Sequence, residues 1–253
     1  MAEGLCTLSI IPVRSEPSGK STMVNQLLFG DRVEIIEESP NWIKIKSLHD
    51  NYEGWCERNQ ITVKIKEQPE QEYQLIHSLT ATFLHDAFPQ TLVYGSTIPY
   101  YSEQYMFNGV PGAMMEGIVK PPLPSVGESV VAATRLFINT PYLWGGRSPF
   151  GVDCSGLVQI AFKMAGKLLP RDAWQQAEYE GRFIDLINET RPGDVAFFDN
   201  DEGVITHAGI LTATGLIVHA SGKVRVDNVD HFGIFNTETG KYTHKLRIIK
   251  RFF

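Results

Sequence analysis

The chain has 253 residues, enough for one large domain or two to three small ones. Hydrophobic residues make up 43% and charged residues 21%, which excludes a largely disordered chain. A formal net charge of −6, from 23 basic and 29 acidic residues, argues against a protein whose main task is gripping nucleic-acid phosphates.

The charge is unevenly placed. Residues 1–125 hold 9 Lys/Arg and 15 Asp/Glu, a net of −6, and residues 126–253 hold 14 of each. The two halves are different objects. No apolar run approaches the ~18 residues of a transmembrane helix, and Met1–Leu5 shows neither the basic nor the long apolar segment of a signal peptide. The three cysteines, Cys6, Cys56 and Cys154, are too few for a disulfide framework. They suit a reducing compartment, or an oxidising one with at most a Cys6–Cys56 pair.

From the N-terminus, residues 5–66 read as short strands. Val33–Glu37 and Trp42–Lys46 carry β-branched and aromatic residues in partial alternation, separated by the turn chemistry of Ser39-Pro40-Asn41. Turns about every ten residues predict a small β-barrel. The acidic stretch 67–72 reads as a linker. A second β-rich segment over 73–120 includes Thr80–Leu84, Thr91–Ser96 and Gly117–Lys120, and is short for a domain that folds alone. Lys120-Pro121-Pro122-Leu123-Pro124 breaks regular structure and marks a boundary.

Beyond it the periodicity becomes helical. Helices are expected over Gly127–Asn139, over Asp153–Gly166, where Leu157, Ile160, Ala161 and Met164 recur at three- and four-residue intervals, and over Ala173–Glu180. Strands follow at Asp194–Phe198, Ile205–Leu211, Gly215–His219 and Leu246–Phe252. Helices first and an antiparallel sheet afterwards predict an α+β domain.

Two constellations carry chemistry. Cys154 stands at the first turn of its predicted helix, where the helix dipole and unpaired N–H groups favour thiolate over thiol. Gly151 and Gly156 would let a substrate approach the sulfur. The alternative is a buried cysteine acting as a small hydrophobe. The second constellation is His207 and His219, each in an apolar strand. If the hairpin between them is centred on Ala213, the two lie directly opposite one another and share a face, so one ring could orient the other. That supplies a base and its orienter for a cysteine nucleophile. A metal held by Cys154, His207 and His219 is disfavoured, because the ligands are widely spaced in sequence and no acidic residue behind them can be identified. His49, His77, His85, His231 and His244 have no partner pattern and read as surface or core.

These residues have a familiar arrangement. Pro141-Tyr-Leu-Trp-Gly-Gly, Asp153-Cys-Ser-Gly-Leu-Val, Arg191-Pro-Gly-Asp-Val, His207-Ala-Gly-Ile and Val218-His-Ala-Ser resemble, in order, the motifs of the NlpC/P60 family of cell-wall cysteine peptidases. The N-terminal half is similar to bacterial SH3 (SH3b) domains, on its pattern and on Gly54-Trp55. The whole order is similar to that of γ-D-glutamyl-L-diamino acid endopeptidases. The resemblance implies a papain-like α+β catalytic domain over 126–253, preceded by SH3-like barrels over 1–66 and 73–122. It implies Cys154 as nucleophile, His207 as base, His219 as the residue orienting it, and Tyr142 beside the developing oxyanion. Asp172 and Ser155 would line the substrate end, Trp144 the groove, and Glu57 would close the same end. Ala173 departs from the serine that often follows the acid in such peptidases.

The implied substrate is a murein peptide of the type L-Ala-γ-D-Glu-diamino acid with a free α-amine facing Asp172, handled by a monomer without metal or other cofactor. Two readings compete. One is a non-catalytic peptidoglycan-binding module; the other keeps the fold and moves the bond, as an N-acetylmuramoyl-L-alanine amidase or an acyltransferase. The sequence leaves the compartment and the preferred diamino acid open.

Overall fold

The structure, a computed structural model, describes residues 2–63, 72–85, 88–101, 103–120 and 127–253. The chain divides into two compact units, Met1–Pro122 and Leu123–Phe253. Of the expected linker only Glu72 is described, as the first residue of a strand, and the expected break at 121–124 lies outside the described residues. No helix among the described residues is long and apolar enough to cross a membrane.

The first unit is built from two seven-stranded antiparallel sheets. In the first, strands Arg32–Glu38 and Trp42–Ser47 pair across the Ser39-Pro40-Asn41 turn. Alternate residues Val33, Ile35, Ile43 and Ile45 point inward and meet Ile11, Val13 and Leu27. Cys6 and Cys56 are buried in this same core as free thiols, so the pair is not bridged, and burial pushes the Cys56 thiol up to about 12.

The second sheet, over residues 72–120, does not close its core with its own side chains. Ile76, Ala81, Phe83, Leu92, Ile98 and Phe107 are completed by Leu5 of the first sheet and by Phe29 in the turn after its strand Met23–Leu28. The Phe29 ring stacks on Phe107 at 4.1 Å and meets Phe83 edge-on at 5.9 Å. Burying one such ring is worth about 1.5–3 kcal/mol, a large share of what so small a sheet could gather alone. The strand expected at Thr91–Ser96 runs instead over Phe88–Val93, because Gly95, at φ +82°, turns the chain.

In the second unit three helices, α1 (Gly127–Arg135), α2 (Cys154–Met164) and α3 (Ala173–Glu178), precede the sheet. Helix α1 ends four residues before the expected Asn139, which takes a left-handed conformation with φ 69°. The main strands are β1 (Val195–Asp199), β2 (Ile205–Ala213), β3 (Leu216–Ser221), β4 (Lys223–Val229), β5 (Gly233–Asn236) and β6 (Lys241–Arg251). Strand β6 pairs with both β1 and β5, so six antiparallel strands close into a barrel. Ala196, Phe198, Leu211, Ile217, Val229, Ile234 and Ile249 fill it. Every residue of α2 is buried, packed on β2 and β3 on one side and α1 on another. Its side-chain amide at Gln159 donates from Nε2 to the Leu169 carbonyl at 3.0 Å.

Candidate active site

The start of α2 is held by a buried ion pair. Asp153 caps the helix in an extended conformation, accepting from the Gly156 N–H at 2.7 Å and from the Gly145 N–H at 2.7 Å. The Arg171 guanidinium, 1% exposed, donates to both oxygens of the same carboxylate at 2.9 and 2.6 Å and to the Ser155 hydroxyl at 2.9 Å. One carboxylate therefore ties together the 143–146 loop, the helix terminus and the segment entering α3. Gly156 and Gly151 serve this packing. A Cβ at 156 would lie 2.2 Å from the Gly146 carbonyl oxygen, and one at 151 would lie 2.6 Å from Leu143. Contrary to the sequence expectation, the space they spare is taken by the protein's own chain and not left for a substrate.

Cys154 is the first residue of α2 and is 6% exposed. Burial pushes its thiol up to about 11, reinforced by the Asp153 carboxylate; the N–H groups of Ala208 and Ser155 and the Arg171 charge pull the other way and are outweighed. The expectation of a thiolate favoured by the helix terminus is thus corrected: the terminus is present, but desolvation wins and the resting sulfur carries its proton. The Tyr142 hydroxyl is pushed up to about 12, by burial first and then by Cys154 and Asp153. It is therefore a protonated donor on the sulfur's side of the loop.

The histidines do not meet in the expected register. The hairpin turns at Thr214-Gly215, later than the expected Ala213, and strand β2 carries a bulge between Leu211 and Ala213; together they move the partner of His219 from His207 to Gly209. A shift of two residues keeps the face. The rings meet on the diagonal, His207 Nε2 to His219 Nδ1 at 2.9 Å, with their planes at 88°. Gly209 makes room for this, since a Cβ there would sit 2.9 Å from the Cβ of His219.

Behind the pair stands a carboxylate. His219 Nε2 lies 2.9 Å from Asp227 Oδ2 on β4, and Arg225 donates to both Asp227 oxygens at 2.7 and 2.9 Å. This relay fixes the tautomers. An ionised carboxylate only accepts, so His219 carries its proton on Nε2. Its Nδ1 then accepts, so His207 carries its proton on Nε2. The lone pair of His207 is left on Nδ1. His207 is held well below the usual histidine range by burial and by its neighbours His244 and His219. Burial also lowers His219, although Asp227 opposes it. Both rings are neutral at neutral pH.

His244, which reads from sequence as surface or core, stacks on the face of His207 at 4.1 Å between centroids. Burial and the nearby His219 lower it to about 4. Other expected residues sit as follows. Ser155 is buried, its hydroxyl committed to Arg171 and Asp153. Asp172 caps α3, with the Gln175 side chain accepting its N–H at 3.0 Å. Trp144 is 60% exposed on the loop held by Asp153. Glu57 is in the first unit, the exposed last residue of its strand, in a surface cleft with Trp42 and Arg58. Sequence reasoning missed Asp227, Arg225, Arg171 and His244. The only signal for the first two was a Val-Arg-Val-Asp alternation at 224–227, and Arg171 offered none beyond its place beside Asp172.

Comparison with known proteins converges with this geometry. Residues 139–242 match the NlpC/P60 family and residues 11–62 the bacterial SH3 domain. A Bacillus subtilis protein named γ-D-glutamyl-L-lysine dipeptidyl-peptidase is 29% identical over 86% of this chain and 74% of its own length. The dipeptidyl-peptidase 6 of Lysinibacillus sphaericus is 27% identical over 85% and 88%. The crystal structure of an NlpC/P60 family protein from Bacillus cereus superposes with a TM-score of 0.85 at 19% identity, over 98% of this chain and 99% of that one, and so shares the fold.

Proposed function

We propose that this chain, an NlpC/P60 cysteine peptidase that carries a bacterial SH3 domain and acts on cell-wall peptides, hydrolyses the γ-D-glutamyl–diamino acid bond of free murein peptides through a thioester at Cys154. The observation that carries the mechanism is the Asp227–His219–His207 relay. It leaves one lone pair free, on His207 Nδ1, and the Cys154 thiolate would be held by the N–H of Ala208, the next residue.

In the proposed reaction the neutral thiol attacks as His207 removes its proton, so the imidazolium exists only while the tetrahedral intermediate does. The backbone N–H of Cys154 at the helix terminus and the Tyr142 hydroxyl donate to the oxyanion. Collapse breaks the C–N bond, and His207 returns its proton to the departing amine. Water then hydrolyses the thioester by the reverse roles. His219 and Asp227 touch no substrate; they hold the base in its tautomer.

For selectivity we assign the free α-amine of L-Ala to the Asp172 carboxylate, at the N-terminus of α3, in a charge-assisted contact. Trp144 supplies an exposed apolar face for the peptide. Ser155 is a support of Arg171 and not a substrate contact, because its hydroxyl is already engaged. Residues 1–66 and 73–122 are assigned to two SH3-like modules and 126–253 to the catalytic domain.

The test is incubation with free, N-acetylated and glycan-linked L-Ala-γ-D-Glu-diamino acid peptides, with products read by mass. Release of the diamino acid from the free peptide alone, lost in Cys154→Ala, is the expected result. Cleavage next to the sugar would point to an amidase, equal rates on free and acetylated peptides would remove the role of Asp172, and no product from any peptide would leave a binding module.

A further inference from the structure

His207, His219 and His244 come together from three strands, β2, β3 and β6, and one nitrogen of each lies within 4.8 Å of the others. The proposed chemistry needs only the first two. The hydrogen bonds around the cluster single out one nitrogen on each ring. Asp227 holds His219 through Nε2, which frees Nδ1, and His207 Nε2 faces that atom at 2.9 Å. The Thr243 hydroxyl donates to the Ile234 carbonyl at 3.4 Å, so its oxygen accepts Nδ1–H of His244 at 2.9 Å and Nε2 of His244 keeps its lone pair.

We propose that these three imidazoles form a binding site for a divalent transition metal such as Zn²⁺, and that the metal switches the enzyme off. Asp227 supplies the carboxylate behind a ligating imidazole that such sites use to orient the ligand and raise its basicity, and Arg225 braces that carboxylate. The sequence reading set a metal aside for want of such an acid. Entry is open on one side, where a cleft lined by Asp199, Thr206, Phe232, Tyr242 and Lys245 reaches His244. Zn–N bonds of about 2.0–2.1 Å in a tetrahedral site put ligand nitrogens ~3.3 Å apart. The His207–His219 pair must open by roughly 0.4 Å, and His244, the least buried of the three, must turn out of its 22° stack on His207, because a bound metal lies in the plane of each imidazole.

The inhibition follows from proton placement. The metal takes the lone pair of His207 Nε2, so the proton on that nitrogen moves to Nδ1. That is the nitrogen which must accept the thiol proton. No proton is lost and no bond to Cys154 is needed; the base is converted to its inactive tautomer. This last step rests on the proposed role of His207, whereas the binding site does not.

Zinc affinity is measured by competition with a chromophoric chelator, and coordination by the visible absorption of tetrahedral Co²⁺, in the full chain and in Cys154→Ala. The expected result is one metal per chain, bound equally well without the thiol, with affinity at least tenfold weaker in His244→Ala and His244→Gln and peptidase activity that falls as the site fills. Loss of binding in Cys154→Ala, or unchanged binding in both folded His244 variants, would overturn the three-histidine site. A chain that binds metal in this way but cuts no peptide would sink the proposed function and leave the site standing.

Discussion

Replacing Asp227 by Asn tests the relay with the least change in shape. The native carboxylate is 1% exposed and accepts from His219 Nε2 and from two Arg225 nitrogens. An amide has one acceptor end and one donor end. Oδ2 is shared by His219 Nε2 and Arg225 Nε, and Oδ1 takes Arg225 Nη2, so when the amide oxygen sits on the Oδ1 side its NH₂ faces His219 Nε2 and forces the proton of that ring onto Nδ1. Two donors then meet across the 2.9 Å gap, and the His207 proton is driven to Nδ1. The base is present but in the wrong tautomer. In a Ser-His-Asp triad the same substitution lowers kcat by about 10⁴. Here a second ring stands between acid and base, so the expected loss is about 10²–10³ in kcat, or roughly 3–4 kcal/mol of transition-state stabilisation. KM should hold, because Asp227 is sealed from substrate. The assay is steady-state hydrolysis of the free peptide, beside a thermal melt to confirm folding. A folded Asp227→Asn enzyme within about threefold of the wild-type kcat would refute the reasoning.

Three further outcomes follow from the burial of charge around the site. Arg171→Met strands the Asp153 carboxylate that caps α2, so urea unfolding should show a loss of about 3–5 kcal/mol; a loss below ~1 kcal/mol would mean the pair is not holding the helix start. Because the Cys154 thiol is pushed up to about 11, its alkylation by iodoacetamide should keep rising about tenfold per pH unit between about pH 6 and 9, and a plateau below neutrality would reveal a resting thiolate–imidazolium pair. His244 titrates at about 4 when folded and near 6.5 when unfolded, so the unfolded chain binds the extra proton first and stability falls as pH drops below 6.5. His244 alone contributes about 2 kcal/mol of that loss at pH 5, buried His207 and His219 act in the same direction, and a urea midpoint unchanged between pH 7 and 5 would contradict this.

The parts of the fold that obey simple periodicity were legible in the sequence. Helix α2 shows its apolar spacing, and its cap Asp153 and the proposed nucleophile Cys154 are adjacent residues. The hairpin carrying both histidines was legible as a hairpin but not in register, because neither the exact turn residues nor a bulge leaves a mark in composition; the shared face survived because the bulge offsets part of the shift made by the later turn and leaves a net error of two residues. Strands β4 and β5 were not legible at all. In β4 one face carries the partly buried Arg225 with buried Asp227 and Val229, while on the other Val224 is buried and Val226 is 49% exposed, so hydrophobicity does not follow burial along the strand. That mismatch hid the strand, and with it the carboxylate that orients the relay. His244 was hidden in a similar way, in the half of β6 that closes the barrel, because only closure brings it onto His207. The state of Cys154 was misjudged for a different reason. A helix terminus can be read from sequence, but the desolvation that outweighs it depends on what packs around the sulfur.

The relay stands on the tautomer of His207, and nitrogen-15 NMR of the histidine rings reads tautomers directly. In Cys154→Ala at neutral pH, His207 and His219 should both show a protonated Nε2 and a bare Nδ1, with a coupling across the hydrogen bond between them. A His207 ring protonated on Nδ1, or on both nitrogens, would contradict the account.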